Sequence, residues 1–156
     1  MIKILDFEVT RFDWLVCILD PYKGEFTDIV NDPQALRDYY DEHSGDIFVG
    51  YNIRHYDQYI FKGILCGFNP WDVSDWIIGQ HNDGWQYSGH FNKIELLTYD
   101  VMKLNDGGLK SLEGFMGNDI RETTVSFDID RPMTDDEIEQ MLFYCHSDVN
   151  NTCEVF

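Results

Sequence analysis

The sequence predicts an α/β domain: a mixed five-stranded sheet, three strands antiparallel and two parallel, flanked by helices. Three observations predict it. Strand-length apolar runs at 2–9 and 14–20 are joined to a third, about 25–30, by turn chemistry at Pro21-Tyr22-Lys23-Gly24. Two later strand-length runs, 46–50 and 94–101, each follow a helical stretch, so they arrive by crossover and lie parallel to the first strand. A strongly capped helix closes the chain.

The elements follow in order. Ile2–Val9 is apolar in its first half, and Trp14–Asp20 is a continuous apolar run suited to a buried strand. Asp32-Pro33 starts a helix that ends near Ser44-Gly45, because Asp accepts bonds from free first-turn N–H groups and Pro at the first position loses none. Residues 46–50 form the fourth strand. A helix from about His55 to Cys66 follows, stopped by Gly67 and Pro70, and 71–79 form another short helix. Residues 80–92 are polar, aromatic and Gly-containing, and read as a loop. The strand at 94–101 precedes a helix over Leu109–Met116 that Gly117 ends. Thr134-Asp135-Asp136-Glu137 is a capping box, after which Ile138, Met141, Leu142, Cys145 and Val149 recur at helical spacing. That helix meets no Gly or Pro before Phe156, as in a domain cut from a longer chain.

At 156 residues, 44% hydrophobic and 15% aromatic, residues 1–156 read as one domain with a real core. No run approaches the ~20 apolar residues of a membrane span, so no membrane partner is expected. With no signal-peptide pattern and no C-x-x-C among Cys17, Cys66, Cys145 and Cys153, reduced thiols in a cytoplasmic compartment are expected and no zinc module is apparent. Cys145 and His146 are adjacent on a helix and point in different directions. The 29 acidic against 11 basic residues give a net charge of −18, which excludes a simple basic patch gripping phosphates. It suits a cation-binding protein, an acidic mimic, or a chain kept soluble by repulsion.

Three places put acids where such a sheet converges. Asp6 and Glu8 alternate on the first strand and share a face, an unfavourable pairing without a cation between them. Asp57 follows Gly50-Tyr51-Asn52 just past a strand's C-terminal end, where open α/β sheets bind ligands. Tyr144 and Asp148 share one face of the last helix. Each alone has a commonplace reading: a chance acidic pair, a helix-dipole carboxylate, a surface pair.

The ordered set D-x-E, G-x-N-x-x-x-x-D, Y-x-x-x-D resembles the DEDD superfamily of 3′–5′ exonucleases, in its tyrosine branch; the histidine branch would need His at 143, which is Phe. Asn52 alone among the asparagines has an Asp five residues on, and Tyr144 alone among the tyrosines has an Asp four residues on. Leu109-Lys110-Ser111-Leu112 with Gly117 resembles the family's segment after the strand carrying Tyr99-Asp100. The resemblance implies a ribonuclease-H-like fold and a two-metal hydrolase acting at a nucleic-acid 3′ end, DNA rather than RNA, in proofreading, replication or repair. It implies Mg²⁺ or Mn²⁺, one ion held by Asp6, Glu8 and Asp148 and the other by Asp6 and Asp57. Tyr144 would orient the attacking water, since a phenol of ordinary pKa ~10 is a poor base. Asn52, Tyr51, Arg54, Phe12 and Lys110 are the expected substrate contacts, with Trp14 and Arg11 as further candidates and Phe7 assigned to the core. A polymerase domain or a basic protein is the expected partner. The alternatives are an inactive acidic binding module or nucleic-acid mimic on the same fold, and a free-standing exoribonuclease.

Overall fold

The computed structural model describes residues 1–104 and 125–156. Its five-stranded sheet runs β3-β2-β1-β4-β5, with β1 Ile2–Val9, β2 Trp14–Asp20, β3 Glu25–Val30, β4 Ile47–Gly50 and β5 Leu97–Asp100. β1, β2 and β3 are antiparallel neighbours, and β4 and β5 run parallel to β1, as expected from the crossovers. The β2–β3 turn closes because Asp20 Oδ1 accepts the N–H groups of Tyr22 and Lys23, while Gly24 takes φ +70.

Strand alternation divides the core between two faces. Leu5, Phe7, Val9, Val16 and Ile18 face α1 (Pro33–His43), α2 (Asp57–Leu65) and α3 (Pro70–Ser74). Phe7 is buried there, its ring edge-on to Phe61 at 5.7 Å. Trp14 is buried in the same layer, which removes it as a base-stacking residue. Ile4, Leu15, Cys17, Leu19 and Val49 face α4 (Asp135–Val155), whose Met141, Cys145 and Val149 are fully buried. The sheet is therefore covered on both sides, and of the two acids on β1 toward α4, Glu8 is buried and Asp6 partly so.

The start signals hold for α1 and α4. Asp32 Oδ1 accepts the Ala35 N–H at 3.0 Å, and Thr134 and Glu137 exchange both bonds of a capping box. Three boundaries differ from expectation. α2 begins at Asp57 rather than near His55, because the N–H groups of His55 and Tyr56 both bond the Asn52 carbonyl in a turn. β5 begins at Leu97 rather than 94, since β4 offers only four residues to pair with. Residues 80–92 hold 3₁₀ turns at Gly84–Gln86 and Gly89–Lys93 rather than plain loop, with Phe91 anchored in the interior. The stretch after Ser74 continues as a π-helical turn, Asp75–Gly79. The helix expected over Leu109–Met116, with Lys110, lies outside the described residues. Among the described residues no helix is long and apolar enough to cross a membrane, and the four cysteines are free thiols.

Candidate active site

β1 is paired with β4 only through Ile2, Lys3 and Ile4, while its pairing with β2 continues to Val9. Beyond Ile4 the two parallel strands part, leaving a crevice at their C-terminal ends. Gly50 closes β4 where space is short: a Cβ there would stand 3.0 Å from the Ile53 Cβ and 3.3 Å from the Leu5 carbonyl. The chain then turns through Asn52, at φ +63, a left-handed conformation that Asn tolerates better than most side chains. This turn delivers Asp57 into the crevice. Its Oδ1 accepts the Phe7 N–H at 3.0 Å, a donor that β4 would otherwise have satisfied.

Asp6 and Glu8 project from β1 toward α4, on the same side as Ile4. Asp148 meets them from α4 and is buried, as are Glu8 and Asp57. Burial pushes the Glu8 carboxyl well above its ordinary range, the Asp6 charge and a Glu8–Asp6 hydrogen bond add to it, and the charges of Asp148 and Asp57 push the same way. Asp57 is likewise raised, by burial and then by Asp6, with partial relief from the Phe7 N–H and a further upward push from Asp100. The four expected acids thus form one mutually repelling group. Their oxygens are hard donors, the chemistry that fits Mg²⁺ or Mn²⁺ rather than a softer ion, with the Cys145 thiol as a soft neighbour of Asp6 and Glu8.

Tyr144 is half-buried one turn before Asp148 on the same helix face. Cys145, between them in sequence, turns inward, and its thiol donates to the Asp6 carbonyl (3.4 Å) and approaches Asp6 Oδ2 (3.8 Å). Burial, then a bond with Cys17, raises the Cys145 thiol well above its ordinary value, so it acts as a proton donor that positions Asp6.

A cleft of about 510 Å³ opens beside Glu8, walled by Phe7, Tyr56, Trp71, Ile78 and Phe127. The Tyr56 hydroxyl is tied to Ser74 Oγ at 2.8 Å, and burial raises its pKa. Phe12 is 54% exposed and lines a neighbouring hollow that shares Trp71 with the cleft. Arg11 stacks over Trp71 at 5.5 Å and pairs with Asp130. Tyr51 and Arg54 are not in the cleft wall: Tyr51 packs against the α4-side core, and Arg54 lies in a separate hollow with His55, Asp100 and Met102. Asn52 serves first as the left-handed pivot of the turn.

Asp100 was not among the expected site residues. It is buried at the end of β5 and accepts the N–H groups of Asn52 (2.9 Å), Arg54 (3.2 Å) and Met102 (2.9 Å), fixing the turn that presents Asp57. The signal was available, as an Asp at the C-terminal end of a parallel strand. No family model, curated protein or solved structure matches the chain.

Proposed function

We propose that this chain is a metal-dependent 3′–5′ exonuclease of the tyrosine-containing DEDD type on a ribonuclease-H-like fold, acting on the 3′ end of single-stranded DNA and releasing nucleoside 5′-monophosphates. The observation that carries the reading is the electrostatic grouping of Asp6, Glu8, Asp57 and Asp148, from three separate elements, around the buried Glu8 carboxyl near the parting of β1 and β4. Asp6, Glu8 and Asp148 would hold one divalent cation, and Asp6 with Asp57 the other. Such a pair supplies a deprotonated water at neutral pH and offsets charge on the attacking and leaving oxygens.

The chain's own residues do the rest. Cys145 braces Asp6, its thiol bonding the Asp6 carbonyl and lying 3.8 Å from Oδ2. Asp57 is locked by the Phe7 N–H, and Asp100 locks the loop that carries it. The Tyr144 hydroxyl orients the water that attacks phosphorus, the bond to the 3′-oxygen breaks, and that oxygen leaves with the shortened strand. The cleft beside Glu8 has the size and apolar walls for a terminal nucleoside. With a net charge of −18, grip on a longer strand would come from a polymerase domain or another basic partner.

A 5′-labelled single strand incubated with Mg²⁺ or Mn²⁺ should shorten to a ladder, and Asp6→Ala should slow this by on the order of 10²–10³-fold, the scale for deleting one electrostatic group. Matched RNA and duplex substrates assign sugar and strandedness. Equal rates in wild type and Asp6→Ala would sink the assignment. No cleavage with retained binding to a basic protein would favour the acidic binding module that the net charge suggests.

A further inference from the structure

The antiparallel register aligns Asp6, Cys17 and Asp28 in one row across β1, β2 and β3. Cys17 faces α4, and α4 lays two successive residues over this row. Cys145 sits against Asp6, and His146 sits against Asp28. His146 Nε2 lies 2.7 and 2.9 Å from the two carboxylate oxygens of Asp28, and its ring stacks flat on Phe26 at 3.9 Å and 5°. The Cys17 sulfur completes the group: one thiol, one carboxylate oxygen and one imidazole nitrogen, all within 4.8 Å of one another. None of the three belongs to the exonuclease reading.

We propose that Cys17, Asp28 and His146 bind a single Zn²⁺ that staples α4 to β2 and β3. The donor set is the first argument. A sulfur, a nitrogen and an oxygen together suit a borderline ion such as Zn²⁺ and discriminate against Mg²⁺, which favours oxygen. Placement is the second. Cys17 is fully buried, whereas the Asp28 and His146 side chains are about one-third exposed, so an ion enters from their side and keeps a water in the fourth position. Pre-orientation is the third: the Phe26 ring fixes the imidazole plane. Zinc bonds of about 2.0–2.3 Å place tetrahedral ligands roughly 3.3–3.7 Å apart. The Cys17 sulfur and the other two donors must therefore draw together by up to about 1 Å while the His146–Asp28 pair opens slightly from 2.7 Å, movements within the rotamer freedom of the two one-third-exposed side chains. On binding, the Cys17 thiol releases its proton to solvent, His146 binds through neutral Nε2, and the Asp28 carboxylate gives up its bond to the ring.

Its Asp28 ligand lies two strand spacings, about 10 Å, from Asp6, and its Cys17 ligand one spacing. It does not depend on the exonuclease reading, and either can fail alone.

The test uses the full chain, freed of metal by a chelator and titrated with Zn²⁺ against a chromogenic chelator, and with Co²⁺ as a spectroscopic stand-in. Wild type should bind one Zn²⁺ tightly and show a thiolate-to-Co²⁺ charge-transfer band. His146→Ala, a half-exposed change that leaves the core intact, should abolish the band. It should also weaken Zn²⁺ binding on the order of tenfold or more, since loss of even a supporting residue costs that much at zinc sites. Cys17→Ser should do the same, and Asp57→Asn should leave both readouts unchanged. Absence of the band in wild type, or its survival in His146→Ala, would overturn the proposal. So would loss in Cys145→Ser with survival in His146→Ala, which would place the thiolate with Asp6 and Glu8 instead.

Discussion

Glu8 is enclosed by β1, α2 and α4 with three other carboxylates around it, so its charged form is disfavoured in the folded, metal-free protein. The sign of the resulting pH dependence follows. A carboxyl whose folded pKa is raised contributes full stability below its unfolded value, near 4.3 for Glu, and that contribution is lost as pH rises through the folded value. Glu137 behaves oppositely: Arg131 beside it, with oxygen contacts of 2.6 and 3.0 Å, holds its carboxyl down at about 2, so its contribution is present at neutral pH and is lost as pH falls from the ordinary carboxylate range through that value. Comparing Glu8→Gln with wild type in chelator isolates the first effect, because Gln keeps the shape and the hydrogen bonding and removes the charge. Glu8→Gln should melt higher than wild type at pH 7, by roughly a few degrees. The gap should close as pH falls below the ordinary carboxylate range. Melting curves from below about pH 4 up to neutral pH check this, and a gap that does not change with pH would mean that Glu8 is not a destabilised charge.

Local chemistry decided which elements were legible. β1, β2, β3, α1 and α4 carry their own turn, cap or period, and Asp32, Gly24 and Thr134 act as the sequence predicts. β5 and α2 do not: the start of one is set by the length of β4, and the start of the other by the Asn52 carbonyl. The same division holds in the site. The shared face of Asp6 and Glu8 follows from a period of two, whereas the Asp57–Phe7 bond requires knowing that β4 parts from β1. The N–H groups that Asp100 accepts and the Asp28 partner of His146 emerge only once the sheet order is known. α4 is the element on which the site most depends, because it carries Tyr144, Cys145 and Asp148. Its start is held by the Thr134 hydroxyl, which accepts the Glu137 N–H at 3.2 Å while Glu137 Oε1 accepts the Thr134 N–H at 3.0 Å. Thr134→Ala should cost about 1 kcal/mol, read as a lower urea midpoint at unchanged slope. No change in the midpoint would mean that α4 is held by its buried face alone.

Over the whole molecule the excess of acid has two origins. Four of the 29 acidic side chains are gathered at the parting of β1 and β4; the remainder leave the surface strongly negative. Two bound divalent cations would change the formal charge from −18 to −14 and neutralise the site while leaving the surface nearly as it was. A cation that binds only the folded arrangement stabilises it by mass action, about 2.7 kcal/mol at a hundredfold excess over its dissociation constant. For a domain of this size that corresponds to a rise of roughly 5–10 °C in Tm. A chain this acidic also gains from simple screening, which any salt provides. The discriminating measurement is Tm in Mg²⁺ or Mn²⁺ against NaCl at equal ionic strength, for wild type and for Asp57→Asn. The divalent ions should raise the wild-type Tm well beyond the salt control. Asp57→Asn should begin higher in chelator, since one buried like charge is gone, and should gain less from the metal, since one ligand is gone. The Cys17–Asp28–His146 group does not confound the comparison, because its sulfur and nitrogen donors discriminate against Mg²⁺. If NaCl reproduced the entire shift, or if Asp57→Asn gained as much as wild type, the four carboxylates would be a repulsive cluster tolerated by the fold rather than an assembled metal centre.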